Sequence, residues 1–113
     1  MFEKNLEMSF LLDFYGDILS ERRRSVMSMY YNEDLSLAEI ADEIGISRQG
    51  VRDLIKKSEE ELSLLEEKLG LARKFERLKS CADKLEAVLF QSDIKDEIRR
   101  DIIALTEEIK TNT

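Results

Sequence analysis

Between Ser47 and Lys57 the chain reads SRQGVRDLIKK, where four cations, Arg48, Arg52, Lys56 and Lys57, accompany one anion, Asp53. Arginine donates two parallel hydrogen bonds to the O6 and N7 edge of guanine, and glutamine pairs with the N6 and N7 edge of adenine. Arg48, Gln49 and Arg52 therefore carry the chemistry of direct base readout. Lys56 and Lys57, a turn further on, suit phosphate oxygens, contacts that position a protein on a duplex without specifying sequence. Arg22, Arg23 and Arg24 form a second basic spot upstream. Cations at the start of a helix gain nothing from its dipole, so these arginines either contact phosphate or pair with nearby acids such as Glu21 and Asp17.

The elements that must position these side chains are spelled out around them. Ser36 followed by Glu39 makes a capping box that opens a helix, and Leu37, Ile40, Ala41 and Ile44 lie on one stripe of it. Gly45 stands where the chain must leave that helix through a left-handed residue. Ile46 plugs the angle, Ser47 caps the next helix, and Val51, Leu54, Ile55 and Ser58 repeat the inward spacing. Leu35 to Ser58 is thus written as a helix-turn-helix, whose second helix enters the major groove while the first crosses the backbone. Gly50 interrupts that second helix at about 1 kcal/mol relative to alanine. Close backbone approach, to a phosphate or to a neighbouring helix, would account for it.

The flanks are helical as well. From Phe2 to Leu19, Leu6, Phe10, Phe14 and Ile18 recur every four positions beside Leu11 and Tyr15, as on a helix with a broad aromatic inner face. Gly16 loosens its last turn, and Ser20 caps a helix lined by Val26, Met27, Tyr30 and Tyr31. Beyond Ser58, Leu62, Leu65 and Leu69 continue the apolar stripe, predicting one helix from Arg48 to Leu69, about 33 Å long, ended or kinked by Gly70. Phe75, Leu78, Ala82, Leu85 and Leu89 form a heptad seam for an antiparallel helix or another subunit. Ser92 and Asp93 restart the chain before a last amphipathic helix carrying Ile94, Ile98, Ile102, Leu105 and Ile109.

With no proline and four glycines in 113 residues, the class expected is all-α. One helical domain over 1–113 is expected, with a helix-turn-helix core at 20–58 and a helical C-terminal extension at 59–113. The formal net charge of -7 argues against a general polyanion binder. Histidine is absent and cysteine occurs once, so no metal or cofactor is expected, and Cys81 reads as a small core or boundary residue rather than a reactive thiol. No apolar run approaches the ~20 residues of a membrane span, and MFEKNLEM carries acids where a signal peptide needs a basic start. A cytoplasmic protein with no membrane insertion follows. Catalysis is not expected: consecutive acids such as Glu59 to Glu61, Glu66 with Glu67 and Glu107 with Glu108 point in different directions on a helix, and no phosphate-cradling loop accompanies them.

The stretch Leu19-Ser20-Glu21-Arg22-Arg23 through Met29-Tyr30-Tyr31, then Leu37-Ala38-Glu39-Ile40-Ala41, Gly45-Ile46-Ser47 and Val51-Arg52, resembles region 4 of bacterial sigma factors. That likeness covers a third to a half of the chain and implies a sigma region 4-like bundle reading duplex DNA. With the N-terminal aromatic helix and the C-terminal amphipathic helices added, the whole chain is similar to the YlxM-like family of small bacterial proteins. The resemblance implies linkage to the signal recognition particle, with members acting as regulators or accessory components. Gly50, the acids Glu59 to Glu61 and the lack of a second promoter-reading region depart from a true sigma factor. Two functions are expected: a DNA-binding regulatory protein of the signal recognition particle pathway, or an adaptor that binds or stimulates that particle's GTPase with the helix-turn-helix as scaffold. The C-terminal helices are the expected site of homodimerisation. RNA binding is a weaker third expectation, because the aromatics fall on inward faces.

Overall fold

The computed structural model describes residues 6–112, which form six α-helices: α1 Leu6–Tyr15, α2 Glu21–Tyr31, α3 Leu37–Ile44, α4 Arg48–Leu69, α5 Leu71–Gln91 and α6 Asp96–Thr111. Their ends follow local chemistry. The Arg23 N–H donates to Ser20 Oγ at α2. At α3 the Glu39 N–H donates to Ser36 Oγ while the Ser36 N–H donates to Glu39 Oε1, closing the capping box. Those bonds hold the Glu39 carboxyl below its ordinary value. Gly45 ends α3 at φ +74°, and Gly70 ends α4 at φ +62°, both in the left-handed region.

The chain divides between Gly70 and Leu71 into two compact units. The first unit runs on past the helix-turn-helix to Gly70, since α4 is continuous through 59–69, as its apolar stripe predicts, and is bonded to α1 and α2 along that length. In this unit α1, α2 and α3 all pack on α4. The buried line of α4 is Val51, Ile55, Ser58 and Leu62, met by Val26 and Met27 of α2 and Ile40 and Ala41 of α3. Ser58 satisfies its hydroxyl by donating to the Leu54 carbonyl at 2.7 Å.

α1 departs from the expected pattern. Leu6 is 85% exposed and Ile18 56%, whereas Met8, Leu11, Leu12 and Tyr15 are buried. The four-residue repeat drifts around a helix that turns every 3.6 residues, and the chain tightens into a 3-10 turn over Gly16–Ile18. This places Ile18 off the α1 stripe. The expected start at Phe2 lies outside the described residues.

The second unit is a hairpin of α5 and α6. Arg99 ties its turn, donating from Nε to the Leu89 carbonyl and from Nη2 to the Ser92 carbonyl while its Nη1 pairs with Asp96. No side chain caps α6 at Lys95, and Ile94 precedes the helix. Across the hairpin, Lys110 Nζ lies 2.7 Å from Glu86 and 2.8 Å from Asp83, and buried Thr106 donates to Glu86; within α6, Lys110 also lies 3.2 Å from Glu107. The seam expected on α5 splits: Ala82 and Leu89 are buried, while Leu78 and Leu85 are exposed. Cys81, expected in the core or at its boundary, is exposed because it lies a quarter-turn from the Ala82 line.

Two consequences are measurable. Gly45→Ala should destabilise the protein by about 1 kcal/mol, since a Cβ meets the left-handed penalty there, and Gly45→Asn by less; urea denaturation reads both. Lys110 and then Thr106, by hydrogen bonding, hold the Glu86 carboxyl below its ordinary 4.5. A depressed folded pKa stabilises above the unfolded value and loses that contribution as pH falls through the folded one. Amide exchange protection in 71–112 should therefore fall as the solution is acidified below about 4.5, and Glu86→Gln should flatten that dependence.

Candidate nucleic-acid interface

The helix-turn-helix is α3, the turn Gly45-Ile46-Ser47 and the first half of α4. Ser47 fixes where α4 begins by accepting the Gly50 N–H at 3.0 Å. This geometry also accounts for Gly50. A Cβ there would stand 3.2 Å from Ile46 Cδ1 and 3.3 Å from Ser47 Oγ, so the glycine leaves room for the cap and for the residue that plugs the turn.

Burial of Val51 and Ile55 points the opposite side of α4 outward, and Arg48, Gln49, Arg52, Lys56 and Lys57 are all exposed. Arg48, Arg52 and Lys56 are spaced by four residues, which stacks them along one edge of the helix. Among the described residues, no ion pair engages these three or Lys57. Gln49 differs: its Nε2 donates to Asp53 Oδ1 at 3.0 Å. Asp53 thus places an anion beside the cationic edge and occupies the amide suited to adenine. The sequence shows this pair as i, i+4 neighbours, the spacing at which such side chains meet.

Arg52 and Lys56 also line a cleft of about 230 Å³ with Tyr30, Leu37, Ile55 and Glu59. The cationic edge therefore borders the junction of α2, α3 and α4.

The arginines of α2 separate from one another. Arg23 Nη1 pairs with Glu61 at 2.8 Å, and Arg24 pairs with Asp17 at 3.1 Å. Asp17 is the acid expected from the sequence; Glu61, 38 residues away in the chain, is reached only through the fold. Arg22 is exposed. The three do not form one cationic surface with α4's edge, since Arg23 is directed at an acid.

Three of the acids of α4 are held against the neighbouring helices. Tyr15 donates to Glu66 at 2.7 Å, Tyr31 donates to Glu59, and Glu61 takes Arg23. Partial burial, then the bond to Glu59, pushes the Tyr31 phenol well above its ordinary range. Glu59 and Glu66 sit at steps of three and four from buried Ile55 and Leu62. That position on the inner stripe is the signal that marks them. Among the described residues no cluster of acids, cysteines or histidines is arranged for a metal, and no helix is long and apolar enough to cross a membrane.

A capped helix, a glycine turn and a second helix presenting an outward cationic edge define an all-α helix-turn-helix protein. A family model described as "UPF0122: Putative helix-turn-helix protein, YlxM / p13 like" matches residues 2–102. A UPF0122 protein of Listeria innocua is 42% identical over 109 residues, covering 96% of this chain and 99% of the relative. UPF0122 proteins of Listeria monocytogenes and Bacillus cereus are each 39% identical over the same shares. The chain belongs to the UPF0122, YlxM/p13-like family.

Proposed function

We infer that the protein is a DNA-binding regulator that lays the first turns of α4 in the major groove of duplex DNA. The observation that carries this is the exposed edge Arg48, Arg52 and Lys56, with Lys57 beside it, on the second helix of a correctly capped helix-turn-helix. Arg48 and Arg52 read base edges, Gln49 joins them when it leaves Asp53, and Lys56 and Lys57 hold phosphate. Arg22 supplies a further phosphate contact from α2, with Arg23 and Arg24 contributing only on leaving Glu61 and Asp17. The reading requires no catalysis and no cofactor. A role in the signal recognition particle pathway rests on the YlxM likeness.

At the base-reading end the acidic surplus is remote: Glu60, the nearest acid of α4 that stays exposed after Asp53, is eight residues beyond Arg52, about 12 Å along the axis, which exceeds the screening length of ~10 Å at 0.1 M salt. Lys57, three residues from Glu60, lies within that length.

Titration of duplex DNA at several salt concentrations tests the reading. With the four cations of α4, Arg48, Arg52, Lys56 and Lys57, all meeting phosphate, the two arginines alongside their base contacts, log affinity should fall against log salt with a slope of about -3.6. Arg48→Ala with Arg52→Ala should abolish sequence preference and flatten the slope. Asp53→Ala should tighten binding several-fold, by removing an anion and freeing Gln49. Absence of binding at low salt overturns the reading.

One observation favours a second reading, an adaptor that binds or stimulates the signal recognition particle GTPase: the net charge of -7 suits a basic protein or RNA-bound partner. Under it, the protein should co-purify with the GTPase or its complex and raise GTP hydrolysis, and Arg48→Ala with Arg52→Ala should leave both unchanged.

A further inference from the structure

The α5–α6 hairpin carries an apolar face that it does not cover. Leu78, Leu85 and Val88 of α5 and Ile98, Leu105 and Ile109 of α6 are between 43% and 60% exposed. Their spacing places them together. On α5 the stripe Leu78, Cys81, Leu85, Val88 steps by three and four residues, a quarter-turn before the line Ala82, Glu86, Leu89 that meets α6. On α6 the stripe Ile98, Ile102, Leu105, Ile109 likewise stands a quarter-turn before the line Arg99, Thr106, Lys110 that meets α5. Because the helices are antiparallel, equal offsets in the same rotational sense bring both stripes to one side of the hairpin.

The two outer flanks of this face differ in sign. On α5 the flank away from α6 carries Arg77 and Lys84; on α6 the flank away from α5 carries Glu97, Asp101 and Glu108, and all five side chains are exposed. A surface with an apolar centre, a basic border and an acidic border is complementary to itself under one kind of two-fold rotation. An axis parallel to the helices sets α5 of one copy over α6 of the other, basic border against acidic. An axis across the helices sets α5 over α5, basic against basic. We propose that the hairpin pairs with a second copy of this chain through this face, about a two-fold parallel to the helices, to form an antiparallel four-helix bundle. The two stripes run side by side for about 16 Å, from Leu78 to Val88 and from Ile98 to Ile109.

The axis also sets the register. Rotation about it leaves each residue at its own height, and the bonds from Asp83 and Glu86 to Thr106 and Lys110 show which heights correspond. Lys84 of one copy then stands opposite Glu108 of the other, twice per dimer.

Sedimentation equilibrium of the full chain should give twice the 13.2 kDa monomer mass. Leu85→Glu with Leu105→Glu should weaken the dimer more than a hundredfold while the far-ultraviolet spectrum stays helical. Lys84→Glu alone, or Glu108→Lys alone, should weaken it about tenfold, and the two together should restore it to within a few-fold. These surface reversals decide the matter if the leucine variant unfolds. A monomeric wild type at high protein concentration, or a dimer indifferent to the leucine pair in a folded variant, overturns the interface. Failure of the charge-swapped double variant to recover overturns the parallel two-fold.

Discussion

Everything in residues 6–70 leans on one surface, the inner stripe of α4. Val51, Ile55, Ser58 and Leu62 are almost wholly removed from water, and α1, α2 and α3 each use that helix as a wall. A fully buried aliphatic side chain contributes about 1.5–3 kcal/mol relative to its exposed state, so rotating α4 by even one residue would sacrifice several such terms at once. The cationic edge is consequently not free to choose its direction. Arg48, Arg52 and Lys56 face outward because Val51 and Ile55 face inward. Ser58 adds to the constraint, since its small side chain lets neighbouring helices approach while its hydroxyl returns to the helix's own backbone.

The same helix also sorts charge. Its first half presents cations to solvent, and its second half directs Glu59, Glu61 and Glu66 toward Tyr31, Arg23 and Tyr15. These bonds lash α1 and α2 to α4 and draw carboxylates away from open solvent. An acidic protein thereby keeps a small basic island at one end of a long helix. Bonds to a charged carboxylate are stronger than neutral ones, and three between residues 59 and 66 make the second half of α4 part of the bundle rather than a projecting tail.

Local chemistry was highly legible. Ser20, Ser36 with Glu39, Gly45 and Ser47 each act at the helix end where their residue type predicts, because caps depend on neighbours within four positions. The span of α4 was legible for the same reason, as an unbroken apolar stripe closed by Gly70. The α1 face was legible only in part: Leu11 and Tyr15 are inside as their positions predicted, but Leu6 and Ile18 are exposed, and Met8 and Leu12, which match the 3.6-residue turn better, complete the buried face. The division of the α5 seam was not legible, with Ala82 and Leu89 inside and Leu78 and Leu85 outside. A heptad pattern states that a stripe is apolar, not which neighbour covers each part of it. At the site, the exposed cations of α4 were legible from the inward positions, whereas Gln49 was read as a base-reading side chain without its bond to Asp53.

By itself the sequence determined the helices, their caps, the glycine turn and the outward direction of Arg48, Gln49, Arg52, Lys56 and Lys57, since each follows from periodicity and from contacts within a turn. Only the tertiary structure decided the partners that lie far along the chain: Glu61 for Arg23, Glu66 for Tyr15, Glu59 for Tyr31, and Lys110 for Asp83 and Glu86. It also decided that Gly50 makes room for its own cap and that half of the C-terminal apolar seam faces outward. Long-range pairing depends on how helices stack in space, and amphipathic stripes of similar composition leave that choice open until the core is assembled.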